Sequence, residues 1–384
     1  MLSRRTFLAS SAALPFAGQS LLAASAPASS RIFIGTGSRG HGEGILSAAW
    51  NPATGEIGDI SLAAEVESPT FLATCRQPDG STLVYAISEV SGAAARVSAF
   101  RAAPGSGKLQ LLNHVSSGGN GPAHVSVSPD GHTVLASNYG GGSLASFHVL
   151  PDGSLSEAVS HFQFTGSGPK LPRQSSPHIH SAMCSPDGRF VLVNDLGLDR
   201  VLMYRLDAAT GTLTPNDPPY WGSQPGAGPR HIAWSRDGRF VYDANELNST
   251  VDVLAWTEGA NAGLHSLQTR STLPAGFKPD TAYVGEIITS ADGRNVYAGN
   301  RVADDTVAVF DCNRKTGLLS PARFAPSGGK NSRHITLDPT DRWMLISHVD
   351  SNDLTVLERT AATGALSAPR RTYPVNKPMC VVFV

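Results

Sequence analysis

Short apolar runs with period-two alternation recur along the chain, broken by turn signals. VSVSPDG, TVLASNYG and SLASFHVL follow one another between Val125 and Leu150. SAMCSPDG, FVLVNDLG and RVLMYRLD repeat the theme from Ser181 to Asp207, and IAWSRDG, FVYDANEL and TVDVLAW from Ile232 to Trp256. Alternation at period two is the pattern of a half-buried strand, and the PDG, DG and TG breaks are tight-turn chemistry. Beyond the N-terminal segment no stretch sustains a helical period. Weaker copies begin near Ser68, Tyr283 and Ser332. A repeat of roughly 50 residues containing four short strands is the unit of a β-propeller blade.

Six full copies must close into a ring, because a propeller disposes of its sheet edges by radial repetition. The chain ends show how. Pro378 to Val384 reads as a first strand with nothing after it, and Arg31 to Asn51 as a blade lacking its first strand. Together they predict one composite blade. The expected fold is therefore all-β: a seven-bladed β-propeller over residues 31–384, a single domain closed by a composite N-/C-terminal blade.

The first residues have a different character. Arg4 and Arg5 precede an apolar stretch from Leu8 to Ala24 that ends in small residues. This is the layout of a twin-arginine signal peptide over residues 1–28, with cleavage expected between Ala24 and Ala28. Pro15, Gly18 and several serines break the stretch too often for a membrane anchor, and no cysteine follows it to carry a lipid. A periplasmic protein that meets the twin-arginine export machinery, and no membrane after signal removal, is expected. With a formal net charge of -1, no basic excess favours nucleic acid. The four cysteines show no CxxC spacing, so zinc and thioredoxin-like sites are not indicated. An oxidising compartment would permit a Cys312–Cys380 bridge.

Aligning the copies on their turns finds two places where an otherwise apolar repeat turns polar and varied. The strand entering each turn begins with Ala123-His124, His180-Ser181, Arg230-His231, Gly285-Glu286 and Arg333-His334. The following strand ends with Asn138-Tyr139, Asp195-Leu196, Asn245-Glu246, Asn300-Arg301 and Ser347-His348. In an antiparallel pair these two places are neighbours, so the columns converge on one mouth of the central channel. A concave site with convergent polar groups is the default place to look for binding or catalysis. The recurrence of His124, His231 and His334 in one column also fits blade-to-blade hydrogen bonding. Arg230 with Glu246 also fits a plain ion pair lining the channel.

GAGPRH (Gly226 to His231) followed by NELNSTVDV (Asn245 to Val253) resembles the propeller-type lactonases, a family with 6-phosphogluconolactonases and a carboxymuconate lactonising cycloisomerase. PHIHSAMCSPDGR, Asn300-Arg301 and SRHITLDP extend the resemblance over the whole mature chain. It departs from the family's pattern at His348 and at Glu286. The resemblance implies a hydrolase of carbohydrate metabolism that needs no metal or other cofactor. It implies His180, Arg230, Glu246 and Arg301 as catalytic residues, with His231 alongside.

Lactone hydrolysis needs a base for water, donors for the developing oxyanion and anchors for ring hydroxyls. A carboxylate between arginines is a weak base, which favours His180 over Glu246. Arg230 and Arg301 suit the oxyanion. Asn138, Asn245 and Asn300 suit hydroxyl recognition, and His348 joins them as a substrate-binding candidate. The expected reaction is water attack on the ring carbonyl of a sugar-derived aldono-1,5-lactone, because sugar phosphates are cytoplasmic metabolites. The alternatives are a muconate-type lactonising cycloisomerase and a non-catalytic binding propeller.

Overall fold

The computed structural model describes residues 30–384 apart from 41, 260 and 279–280. The expected twin-arginine segment, 1–28, lies outside the described residues. The described chain is almost wholly strand and turn, with one 3-10 turn at Gly92–Ala94. Six four-stranded antiparallel sheets follow in chain order as blades 1 to 6, beginning at Leu72, Pro122, Ile179, Pro229, Ala282 and Ser332. In each, the first strand lines the channel and the fourth lies outermost.

Blade 7 is the composite one. Its innermost strand, Pro378–Phe383, pairs antiparallel with Ser30–Thr36, setting Ile32 against Phe383 and Ile34 against Val381. Burial explains why the ring holds. The apolar clusters straddle neighbouring blades: Tyr85 and Ile87 of blade 1 pack with Val134 and Phe147 of blade 2. The same logic closes the circle. Ile32, Trp50 and Val381 of blade 7 pack on Trp343 and Leu345 of blade 6, while Phe33 and Cys380 pack on Leu72 and Val84 of blade 1. At about 25 cal/mol per Å² of apolar surface, these interblade seams are the main stabilising term.

The turn between first and second strands explains the SPDG repeats. Ser128 donates to Asp130 (2.5 Å) and accepts the Thr133 N–H (2.9 Å), and Ser185, Ser235 and Ser290 bond the equivalent aspartates. The turn glycines Gly131, Gly188, Gly238 and Gly293 have φ between 66° and 78°. Blade 6 has Asp341 there instead, at φ 62°, a region that Asp tolerates better than most residues.

The channel end of the first strand carries a β-bulge in blades 2 to 6, whereas blade 1 pairs without one. Pairing skips Ala123 in blade 2, His180 in blade 3, Arg230 in blade 4 and Arg333 in blade 6. In blade 5 the shift falls between Val284 and Ile287 and takes in Gly285 and Glu286. A bulge re-aims side chains that strict alternation would send to opposite faces. Both polar columns of the first strand thereby reach the channel, stacked as two layers. Gly285 has no room for a side chain, since a Cβ there would lie 2.7 Å from the Ser332 carbonyl oxygen.

The cysteines are free. Cys312, on blade 5, lies 2.8 Å from the Tyr242 hydroxyl of blade 4, whereas Cys380 is buried in the innermost strand of blade 7 beside His334. Their places on different blades correct the Cys312–Cys380 bridge. No described helix is long and apolar enough to cross a membrane.

Candidate active site

A pocket of about 250 Å³ opens at the bulged end of the channel, lined by Glu89, Ala123, Tyr139, Arg173, His180, Glu246, Tyr283, Arg301 and Arg333. Larger cavities lie elsewhere. One of about 870 Å³ sits among the turns at the opposite end of the strands, around Arg76, Asp130 and His148. The channel-mouth pocket is where the polar columns of several blades meet.

Glu246 is its centre. It follows the second strand of blade 4, and its N–H is tied to the Gly228 carbonyl at 2.7 Å. Its carboxylate meets Arg230 Nε at 3.0 Å, Arg301 Nη2 at 3.1 Å and Arg173 Nη2 at 2.5 Å. Burial would raise this carboxyl, but Arg301, Arg230 and Arg173 together hold it well below the usual carboxylate range. Glu246 is therefore a fixed anion that orders three guanidiniums and a very poor proton acceptor. Arg173 also donates to the Tyr139 hydroxyl at 3.3 Å, and Arg173 and Arg301 both lie over the Tyr283 ring.

His180 stands beside this cluster, with Nε2 3.9 Å from Glu246 Oε2. Burial, then Arg230, His231 and Arg333, push its pKa well below the ordinary histidine value. It is neutral at pH 7, so one of its ring nitrogens carries a lone pair. Burial and then Arg333 lower Arg230 to about 9, which leaves it cationic at pH 7. Arg333 lines the pocket wall, and among the described residues no hydrogen bond or ion pair engages its side chain.

Beneath the pocket lies the second layer: His124, His231, Glu286 and His334 around Phe71. His231 Nδ1 lies 2.8 Å from Glu286 Oε1, across blades 4 and 5, and His334 Nε2 lies 3.7 Å from Glu286 Oε2, across blades 5 and 6. His124 has no hydrogen bond at Nδ1 and packs on the His231 ring at 5.2 Å.

The geometry thus gathers His180, Glu246 and Arg301 into the pocket wall, with Arg230 just beneath, bracing Glu246. It separates the other candidates from the pocket. His231 is buried in the layer below, 3% exposed, and does not reach the lining. Asn138, Asn245 and Asn300 are turned into their own blades. Asn138 donates to the Ser117 carbonyl, Asn245 to Asp252 and Thr250, and Asn300 to the Thr272 carbonyl. In blades 2, 4 and 5 the residue after each Asn (Tyr139, Glu246, Arg301) faces the mouth instead. His348 pairs with Ser332 in the register where Asn245 pairs with Pro229. It therefore belongs to the inward asparagine column, fully buried against Asp353 at 2.9 Å, since a one-residue slip exchanges the faces of a strand.

Arg173 and Tyr283 were not singled out from sequence. Tyr283 precedes the columns used for alignment. Arg173 comes from the segment joining blades 2 and 3, which has no counterpart in the repeat. Its length and its Pro, Gly and Ser content were the available signal, since long connections in compact folds are often functional.

Comparison with known proteins places this architecture. The chain is 34% identical to the 6-phosphogluconolactonase of Bacillus subtilis, over 92% of this chain and 97% of that protein. A solved structure from Bacteroides fragilis superposes with a TM-score of 0.86 at 31% identity, covering 94% of this chain and 99% of that one. The periplasmic gluconolactonase of Pseudomonas aeruginosa superposes with a TM-score of 0.84, also at 31% identity, over 93% and 99% of the two chains. The sequence profile described as lactonase, 7-bladed beta-propeller matches residues 31–383, and with the ring and its channel-mouth pocket on the page, the chain belongs to that lactonase family.

Proposed function

We propose that the protein hydrolyses a sugar-derived aldono-1,5-lactone at the channel mouth, in the periplasm after twin-arginine export. The observation that carries the chemistry is a neutral, buried histidine beside a carboxylate already neutralised by arginines. His180 takes a proton from water as the water oxygen attacks the ring carbonyl. The oxygen that becomes negative is met by the guanidinium of Arg301, with Arg173 and Arg333 at the same wall. Arg230 works through Glu246, whose position it fixes. As the tetrahedral intermediate collapses, the ring C–O bond breaks and the proton on His180 passes to the departing oxygen. The aldonic acid ionises to its carboxylate, and His180 is neutral again.

The gluconolactonase from Pseudomonas aeruginosa, by its name and compartment, supports an unphosphorylated substrate. The excess of arginines over carboxylates in the lining supports a second reading, a lactone bearing phosphate or carboxylate. A pH-stat assay of purified protein on glucono-1,5-lactone and on its 6-phosphate, corrected for spontaneous opening, separates the two. Hydrolysis above background is expected, with kcat lowered roughly 10²- to 10⁴-fold by His180→Ala. Wild-type protein that opens neither lactone faster than buffer refutes the reading.

A further inference from the structure

His180 can serve as base only if the correct nitrogen is bare. Nε2 is on the Glu246 side of the ring, at the pocket, whereas Nδ1 is sealed from solvent and has no hydrogen-bond partner. Two carboxylates compete for the single hydrogen of the neutral ring. Glu246 lies 3.9 Å from Nε2 and would draw the hydrogen there, which would blind the base.

The second carboxylate acts from below. Glu286 Oε1 accepts the Ile287 N–H at 3.1 Å and faces His231 Nδ1 at 2.8 Å. A carboxylate oxygen only accepts, so the shared hydrogen sits on His231 Nδ1, and His231 Nε2 carries a lone pair. That Nε2 is buried and also lacks a partner. The His180 and His231 rings are edge to face, 5.0 Å between centres. Three buried nitrogens without partners lie on adjacent rings, His231 Nε2, His180 Nδ1 and His124 Nδ1. His231 Nε2 is the forced acceptor, and the His180 ring, at 5.0 Å against 5.2 Å for His124, is the nearer source of a donor. A hydrogen bond between His180 Nδ1 and His231 Nε2 requires a rotation about χ2, a soft torsion in histidine.

We propose that Glu286 is a positioning residue for the base: through His231 it holds the His180 hydrogen on Nδ1 and leaves Nε2 bare toward the lactone. The chain runs Glu286 Oε1 to H–Nδ1 of His231, then His231 Nε2 to H–Nδ1 of His180. When His180 Nε2 accepts the water proton, the imidazolium is stabilised by the same chain, and no proton leaves the site. The groups around it are Glu246, Arg230, Arg333, His124 and Tyr139 at His180, with Arg230, Arg333, His124 and His334 at His231. Burial first, and then the arginines, keep both rings neutral, so the orienting effect comes from Glu286 and not from charge on the histidines. This role rests on the hydrolytic reading above.

The test is imidazole ¹⁵N NMR of full-length mature protein, with His180 assigned by difference against His180→Gln. Wild type should show a protonated Nδ1 and a bare Nε2 at His180. Glu286→Gln should invert that pattern and lower kcat roughly 10²- to 10⁴-fold with little change in KM, as a wrong tautomer does in other histidine bases. Glu286→Asp should recover part of both. His231→Gln provides a second route should Glu286→Gln fail to fold. A wild-type His180 carrying its hydrogen on Nε2, or a pattern unchanged in either variant, overturns the proposal. Tautomer inversion in a protein that opens no lactone would sink the hydrolytic reading and leave the positioning chain standing.

Discussion

Glu246→Gln tests how the pocket is held together. Replacing the carboxylate by an amide keeps the shape and removes the charge that three arginines share. Arg230 and Arg301 are almost entirely buried, with side chains 3% and 11% exposed, while Arg173 is 35% exposed and can rehydrate. The cost should therefore come mainly from Arg230 and Arg301. Removing one partner of a buried ion pair costs about 3–5 kcal/mol. With an unfolding entropy of about 0.75 kcal/mol/K for a domain of this length, that is a fall in Tm of about 4–7 °C. The pH dependence has a definite sign. The folded-state pKa of Glu246 is depressed, so its stabilisation is complete above the unfolded carboxyl value and shrinks as the pH falls through the folded one. Urea midpoints at pH 7, 5, 4 and 3 should show a wild-type advantage that is constant down to about pH 5 and narrows below it. The rate effect should be moderate, well short of that of His180→Ala, because Glu246 positions arginines and takes no proton. An advantage that stays level down to pH 3, or a rate loss as deep as that of His180→Ala, would refute this account.

Two further outcomes follow from the fold. Removing Pro378 to Val384 deletes the innermost strand of blade 7 and uncovers Phe33 and Ile34; the truncated protein should melt at least 10 °C lower, and an unchanged melting curve would be incompatible with the closed ring. Arg359 is buried between blades 5 and 6, donating to Tyr297 at 2.7 Å and to Asp341 at 2.8 Å. Arg359→Met should lower Tm by about 4 °C while lactone hydrolysis is unaffected, since the cluster lies far down the blades from the mouth; scanning calorimetry beside the pH-stat assay decides it.

The fold was legible because a propeller states its plan many times over. Each SPDG turn announced the next strand, and the unmatched first strand at Pro378 announced the composite blade. The site was legible in part. Columns of the repeat marked the two polar places, and the family resemblance picked out His180, Arg230, Glu246 and Arg301 among them; the folded ring brings His180 and the two arginines around the Glu246 carboxylate. The columns misled where a single residue of register decides which face a side chain takes. His348 falls in the inward column, and the asparagines before Tyr139, Glu246 and Arg301 serve their own turns. The two-layer stacking of the channel depends on bulges, which alignment on turns does not reveal, so His231 was expected at the lining and lies beneath it. Arg173 escaped because it belongs to no repeat.

The composite blade also sets an order of events. The strand that closes the ring, Pro378–Phe383, is the last of the repeat to leave the ribosome, so blades 1 to 6 can form while synthesis continues but the circle cannot. Until then blade 7 shows Ser30–Thr36 as an open edge, a template for pairing with other chains. Closure thus waits for the last strand of the repeat, and growing chains held close together on one messenger run the greatest risk of joining the wrong partner.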